Sequence, residues 1–342
     1  MRFGLDSERI HLVTGGCGFF GSHLVDALVT AGCRVRVLDN LSNGRRQNLI
    51  QHQSNRSIEI IEGDVADLEV VRNAMEDVCV VFHLAALADI VPSIDHPDRY
   101  FNANVNGTVN AVRAAQESKV GKFIYAASSS CYGVPEEYPT PETAAISPQY
   151  PYALTKYIGE EIVLHWAQVY GLPAISLRFF NLYGPRVRTS GSYGAMFGVF
   201  LAQKLAGMPL TIVGDGTQTR DFTYVSDGVG ALLAAASSNV SGECYNVGSG
   251  QTTSVNEITN LIGASQRAYI PKRPGEPDCS FADISRIQND LGWSPLIGIE
   301  QGVSTMLSDL SHWTDAPVWT PATIEEATSE WFKHLGDKSG VK

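Results

Sequence analysis

Tyr152 and Lys156 stand four residues apart in "YALTK", a spacing that puts both on one face of a helix. An ammonium beside a phenol favours the phenolate and lowers its pKa. Such a phenolate can take a hydroxyl proton while hydride leaves the same carbon. Upstream, "AASSSCYG" places Ser128, Ser129 and Ser130 directly after the apolar run "KFIY". Three hydroxyls at a strand end can be nucleophiles, hydrogen-bonders for a ligand, or a polar cap. No histidine stands near them to act as base, which argues against a covalent serine intermediate.

A second constellation lies near the N-terminus. "TGGCGFFGSHL" sets Gly15, Gly18 and Gly21 in G-x-x-G-x-x-G spacing between an apolar run and an amphipathic one. Glycines there let the backbone turn tightly and approach a pyrophosphate, whose charge sits at the N-terminus of the following helix. Asp39 ends the next apolar run, where a carboxylate can accept hydrogen bonds from an adenosine ribose and repel a 2′-phosphate. That favours NAD over NADP. Asp64 ends the third run and is placed to reach the adenine side.

The elements that must position these groups follow from hydrophobic pattern. "IHLVTG" (10–15), "RVRVLD" (34–39), "IEIIEGD" (58–64), "CVVFHLA" (79–85), "KFIYAAS" (122–128) and "PAISLRFFN" (173–181) read as strands. Helices are expected at about 21–31, 100–118 and 152–171. Runs apolar on both faces and separated by helices predict a doubly wound parallel sheet of Rossmann type, an α/β fold. Residues 1–181 are read as the dinucleotide-binding domain, with 222–245 read as a return to it. Residues 182–342, richer in Gly, Pro and short segments, are read mainly as a smaller mixed substrate lobe.

Composition bounds the function. The chain has 342 residues and a formal net charge of −11, which argues against nucleic acid or an anionic membrane as partner. Its six cysteines are scattered without C-x-x-C or short-spaced histidines, so no metal site is expected and a reducing cytoplasm is. No apolar run is long enough to span a bilayer, and no secretory signal order is seen.

Motifs along nearly the whole chain resemble the extended short-chain dehydrogenase/reductase family, especially nucleotide-sugar 4-epimerases of the UDP-galactose 4-epimerase type. They run from "TGGCGFFGSHLV" through "DNLSNG", "GDVAD", "HLAA", "NVNGTVN", "SSSCYG", "PYALTKYIGE" and "RFFNLYGPR" to "GDGTQTRDFTYVSD", "YNVGSG", "RPGEPDCSFADISR" and "LGWSP". The resemblance implies Ser128, Tyr152 and Lys156 as catalytic residues, with Ser128 a positioning hydroxyl. It extends the NAD site over Phe19, Phe20, Asn40, Asn43, Gly44, Val65, Leu84, Ala85, Ala86 and Asn104, with a structural strand-to-helix role also open for Asn104. It assigns substrate contacts to Ser129, Ser130 and Asn181, phosphate binding to Arg220 and Arg273, and the nucleotide ribose to Glu276. Related 4,6-dehydratases carry carboxylates beside the strand-end hydroxyl; here Ser129 and Ser130 stand there, so elimination lacks its acid and base.

The same resemblance implies inversion at C4 of a nucleotide-activated hexose through a transient 4-keto sugar. The nucleotide base, a 4-keto-reductase activity, inversion at another carbon and a non-catalytic NAD-binding role stay open. Ser280 falls where the family places a gate residue beside the C2 substituent, and its small side chain implies acceptance of N-acetylhexosamines as well as plain hexoses. A homodimer is implied, with the helices near 100–118 and 152–170 forming a four-helix bundle and Ala111, Ala114, Ala115, Ile158, Ile162 and Trp166 as its apolar face. His83 is read as packed rather than catalytic, and "IEEATSEW" (324–331) as a solvated helix.

Overall fold

The computed structural model describes residues 6–187 and 196–336. Seven parallel strands form its main sheet: β1 (Ile10–Thr14), β2 (Arg34–Asp39), β3 (Ile58–Glu62), β4 (Val78–His83), β5 (Lys122–Ser128), β6 (Ala174–Phe179) and a seventh, Glu243–Val247. From one edge to the other the order is β3, β2, β1, β4, β5, β6 and Glu243–Val247. The chain therefore changes direction between β1 and β4, and a crevice opens there beyond the carboxyl ends of the strands.

Alternation along each strand divides the core. Val13 packs on one face with Leu24, Val25 and Leu28 of helix α1 (Phe19–Thr30) and with Val229 and Leu232 of the helix Val225–Ser237. Leu12 packs on the other with Ala111, Val112 and Ala115 of the helix Gly107–Glu117 and Val163 of the helix Pro151–Tyr170. Both faces are covered, so β1 is buried along its whole length. Ala111, Ala114 and Ala115 are thus in this chain's own core and do not form the outward apolar face expected of them. Helix and sheet already take up that side.

Several boundaries differ from expectation. The stretch expected as one helix over 100–118 holds a π-helical segment, Phe101–Asn106, before Gly107–Glu117. The extra residue in that turn leaves Asn104 buried and facing inward. "TRDFTYVSD" does not itself enter the large sheet: Thr219–Arg220 pairs with Thr253–Ser254 and Cys279–Ser280, and Thr223–Tyr224 with Leu182–Tyr183. The helix Val225–Ser237 and the strand Glu243–Val247 carry the chain back. These short sheets, with a pair formed by Leu210–Val213 and Arg267–Ile270, make a second packed cluster around Tyr183, Phe200 and Ile258.

Two buried charges hold the sheet to the Tyr152 helix. Arg178 of β6 is bidentate to Glu160, with its Nη2 2.6 Å from Oε1, and Glu160 also accepts from Ser176. Arg178 donates further to the Tyr132 hydroxyl at 2.7 Å. Full satisfaction of both ions is what makes such a pair tolerable in a core. Among the described residues no helix is long and apolar enough to cross a membrane.

Candidate active site

A cleft of about 740 Å³ runs along the carboxyl edge of the sheet. At one end the turn after β1 gives it a floor of backbone. Gly15 has a φ of +72°, and a Cβ there would lie 2.8 Å from the Ala85 nitrogen. A Cβ on Gly21 would lie 2.2 Å from the Gly15 carbonyl oxygen, so helix and turn can meet this closely only without side chains. The N-terminus of α1 has Gly18 as cap, with no side-chain capping bond and no acid in its first turn. Its first N–H groups therefore face the cleft as anion donors.

Asp39 closes this end. It is buried, accepting from the Cys17 and Leu41 N–H groups at 2.9 Å each. Burial pushes its carboxyl up, and those two bonds offset this only in part. Gly44 leaves room beside it, since a Cβ there would come within 2.7 Å of the carboxylate oxygens. Asp64 accepts from Asn40 Nδ2 at 2.9 Å and from the Ala66 N–H at 2.8 Å. Phe19, Phe20, Asn43, Val65, Leu84, Ala85 and Ala86 all line the same region.

Asn104 does not. Its amide accepts from the Leu87 N–H at 2.8 Å and donates to the Leu87 carbonyl and Thr155 Oγ1 at 3.0 Å each. It fixes the loop after β4 to the Tyr152 helix instead of touching the cleft. His83 is likewise committed, with Nδ1 2.8 Å from Thr14 Oγ1 and Nε2 3.1 Å from Thr108 Oγ1. Burial, and the nearby Lys156, lower it to about 3, so it is neutral.

At the centre, β5 ends at Ser128 and the helix Pro151–Tyr170 brings Tyr152 and Lys156 against it. Ser128 Oγ lies 2.9 Å from Ser130 Oγ and accepts from the Ser130 N–H at 3.2 Å, capping the short turn that follows. It also hydrogen-bonds Tyr152. Burial pushes the Tyr152 phenol up, and the Ser128 bond opposes this. Lys156 lies with Nζ 4.2 Å from the Tyr125 ring centroid, and burial lowers it to about 7 against the pull of Glu160. Among the groups acting on the Tyr152 phenol, Ser128 is the one that lowers its pKa.

At the other end, Arg220 Nη2 is 3.1 Å from Glu276 Oε1, and Arg273 Nη1 is 3.9 Å from Glu276 Oε2. Two guanidinium groups share one carboxylate, which leaves net positive charge for an anion. Asn181 Nδ2 donates to the Asp221 carbonyl at 3.0 Å and to Ser280 Oγ at 3.2 Å, so a phosphate bond from that nitrogen would replace one of these. Ser129 and Ser280 both line the cleft. Asp221, fully buried, accepts from Ser249, Gly250 and Ala282, which ties "TRDF", "VGSG" and "FAD" into one hub.

Three lining residues escaped the sequence reading. Asp89 is a carboxylate in the cleft whose charge pushes Tyr152 up; it arrives from the β4 loop, far from the serine cluster where an acid was sought. Tyr150 stacks on Tyr152 with centroids 6.5 Å apart and planes 6° apart. Trp331, in the helix expected to be solvated, is 2% exposed and packs on Tyr150. An aromatic next to the tyrosine was the available signal for Tyr150; the other two depend on distant chain segments.

Comparison with known proteins adds a family. Residues 11–248 match the NAD dependent epimerase/dehydratase family. A UDP-glucose 4-epimerase of Mycolicibacterium smegmatis is 35% identical over 300 residues, covering 86% of this chain and 96% of that protein. A UDP-N-acetylglucosamine 4-epimerase from Methanobrevibacter ruminantium, solved with UDP-N-acetylmuramic acid, superposes with a TM-score of 0.82 at 32% identity, covering 88% of this chain and 98% of that one. A UDP-glucuronic acid 4-epimerase from Bacillus cereus, solved with UDP-glucuronic acid and NAD, superposes with a TM-score of 0.82 at 31% identity, covering 88% and 99%. The open N-terminus of α1, the backbone floor at Gly15 and Gly21, and the recess between Gly44 and Asp39 fit NAD as the cofactor.

Proposed function

We propose that this chain, which belongs to the NAD dependent epimerase/dehydratase family, inverts C4 of a nucleotide-activated hexose. The carrying observation is that one cleft joins the glycine turn, the Ser128–Tyr152 pair and the Arg220–Glu276–Arg273 cluster in that order. NAD bound along the glycine turn supplies the acceptor and donor of hydride. Tyr152 takes the C4 hydroxyl proton, and Ser128 holds that hydroxyl and relays the proton. Lys156, one turn further along the helix, supplies a buried positive charge. Arg220 and Arg273 hold the diphosphate and Glu276 the ribose, leaving the 4-keto sugar room to present its opposite face. The six free thiols suit a reducing cytoplasm.

Asp89 favours a second reading, because a carboxylate lining the same cleft as Tyr152 is the group that inversion at a neighbouring ring carbon would need. Incubation with UDP-, GDP- and CDP-hexoses, without added oxidant, separates the two by proton NMR. The C4 epimer should accumulate to equilibrium. Inversion elsewhere on the ring, or net consumption of NADH, would replace the first reading.

Ser280 sets the sugar prediction. It pairs beside Arg220 on a short strand, with its hydroxyl bonded by Asn181. UDP-N-acetylglucosamine and UDP-N-acetylgalactosamine should be turned over as well as UDP-glucose and UDP-galactose. Ser280→Tyr should then weaken the N-acetylated reaction selectively, by about 1–3 kcal/mol in kcat/KM. Equal loss for both pairs would show that Ser280 does not gate the pocket.

A homodimer completes the proposal, built on the outer faces of the same two helical segments. Leu154 and Phe101 are 38% and 37% exposed there, beside the half-buried Val105, Val109, Ile158 and Ile162. Light scattering at micromolar concentration should give twice the chain mass of 37.0 kDa. A monomer mass would remove the bundle.

A further inference from the structure

The C-terminal helix Ser329–Leu335 lies across the far end of the cleft, packed on the helix Ile90–Asp95 that follows the β4 loop. Its Trp331 makes three contacts with groups that line or support that end. The indole Nε1 donates to the Pro274 carbonyl at 2.8 Å. The Arg273 guanidinium stands over the indole, 5.5 Å from the ring centroid. The Tyr150 ring lies 5.8 Å away at 47°, and Tyr150 in turn stacks on Tyr152.

We propose that Trp331 is a positioning residue for nucleotide binding: it fixes Arg273 and the Pro274–Glu276 turn, so the folded C-terminal helix is part of the diphosphate site. The claim rests on the nucleotide-sugar reading given above. A free arginine side chain loses considerable rotamer freedom when it binds a phosphate. Stacking on a buried aromatic ring removes part of that freedom beforehand. The indole bond to Pro274 holds the backbone on which both Arg273 and Glu276 are mounted. Nothing in these contacts reaches the glycine turn or Asp39, so the effect should be confined to the nucleotide end.

Calorimetric titration of the whole protein with UDP tests this. Trp331→Ala should weaken UDP about tenfold, while NAD affinity stays at the wild-type value. Trp331→Phe keeps a ring under Arg273 and should recover most of the loss. On an Arg273→Ala background, Trp331→Ala should cost little more, because the two act as one unit. Unchanged UDP affinity in Trp331→Ala would overturn the inference while leaving the nucleotide-sugar reading intact. So would equal, independent losses in the double variant, or loss of NAD binding together with UDP. Failure of the wild-type protein to bind UDP, with UDP-sugars also inert, would instead remove the reading beneath it.

Discussion

Tyr152→Phe is expected to lower kcat by about a thousandfold, the range of a lost general acid–base, while NAD stays bound. The substitution removes one oxygen and keeps the ring that stacks on Tyr150 at 6.5 Å, so the helix and the cleft wall keep their packing. What disappears is the phenolic hydroxyl that shares the cleft with Ser128, and with it the path for the C4 hydroxyl proton. Steady-state turnover of the best UDP-hexose, with bound NAD measured after denaturation, gives the result. Turnover within a few-fold of wild type would mean that another group, Asp89 foremost, carries the proton.

Lys156→Met is expected to do two things at once: cut activity by about a hundredfold and stabilise the protein. Burial lowers Lys156 from 10.5 to about 7, so the folded state holds a proton less readily than the unfolded chain. Between those two values the unfolded chain binds the extra proton, and stability rises with pH through that window. Below about 7 the ammonium is present in both states and its full desolvation cost is felt, on the order of a few kcal/mol. Methionine fills similar volume without charge and leaves Glu160 still paired with Arg178. The variant's melting temperature should therefore exceed wild type by at least about 2 °C at pH 6, and the gain should fade towards pH 10. A lower melting temperature at pH 6 would show that Lys156 stabilises the fold, and that its charge is already compensated.

Much of the frame was legible because it depends on neighbours in sequence. Strands covered on both sides read as unbroken apolar runs, and β1, β2 and β5 fall where those runs lie. The glycine turn shows itself by spacing, and Tyr152 and Lys156 by a four-residue helical interval. Groups whose role comes from distant packing were not legible in this way. Asn104 was open to a cofactor contact or a structural role, and only the π-helical segment that turns it inward makes it a clamp between Leu87 and Thr155. Trp331 looked like part of a solvated helix because its partners, Pro274 and Tyr150, lie 57 and 181 residues away in the chain. The upward push on the Tyr152 phenol was not legible either, because its causes, burial foremost and then Asp89, are consequences of the fold.

If C4 is inverted by removal and return of the same hydrogen, a deuterium label at that carbon must survive the reaction. A UDP-hexose deuterated at C4 is converted in ordinary water, and the product is read by NMR and mass spectrometry. The product should be inverted and keep its deuterium at C4, with no deuterium lost to solvent and no solvent hydrogen gained at C3 or C5. Loss of the label, or exchange at a neighbouring carbon, would contradict it.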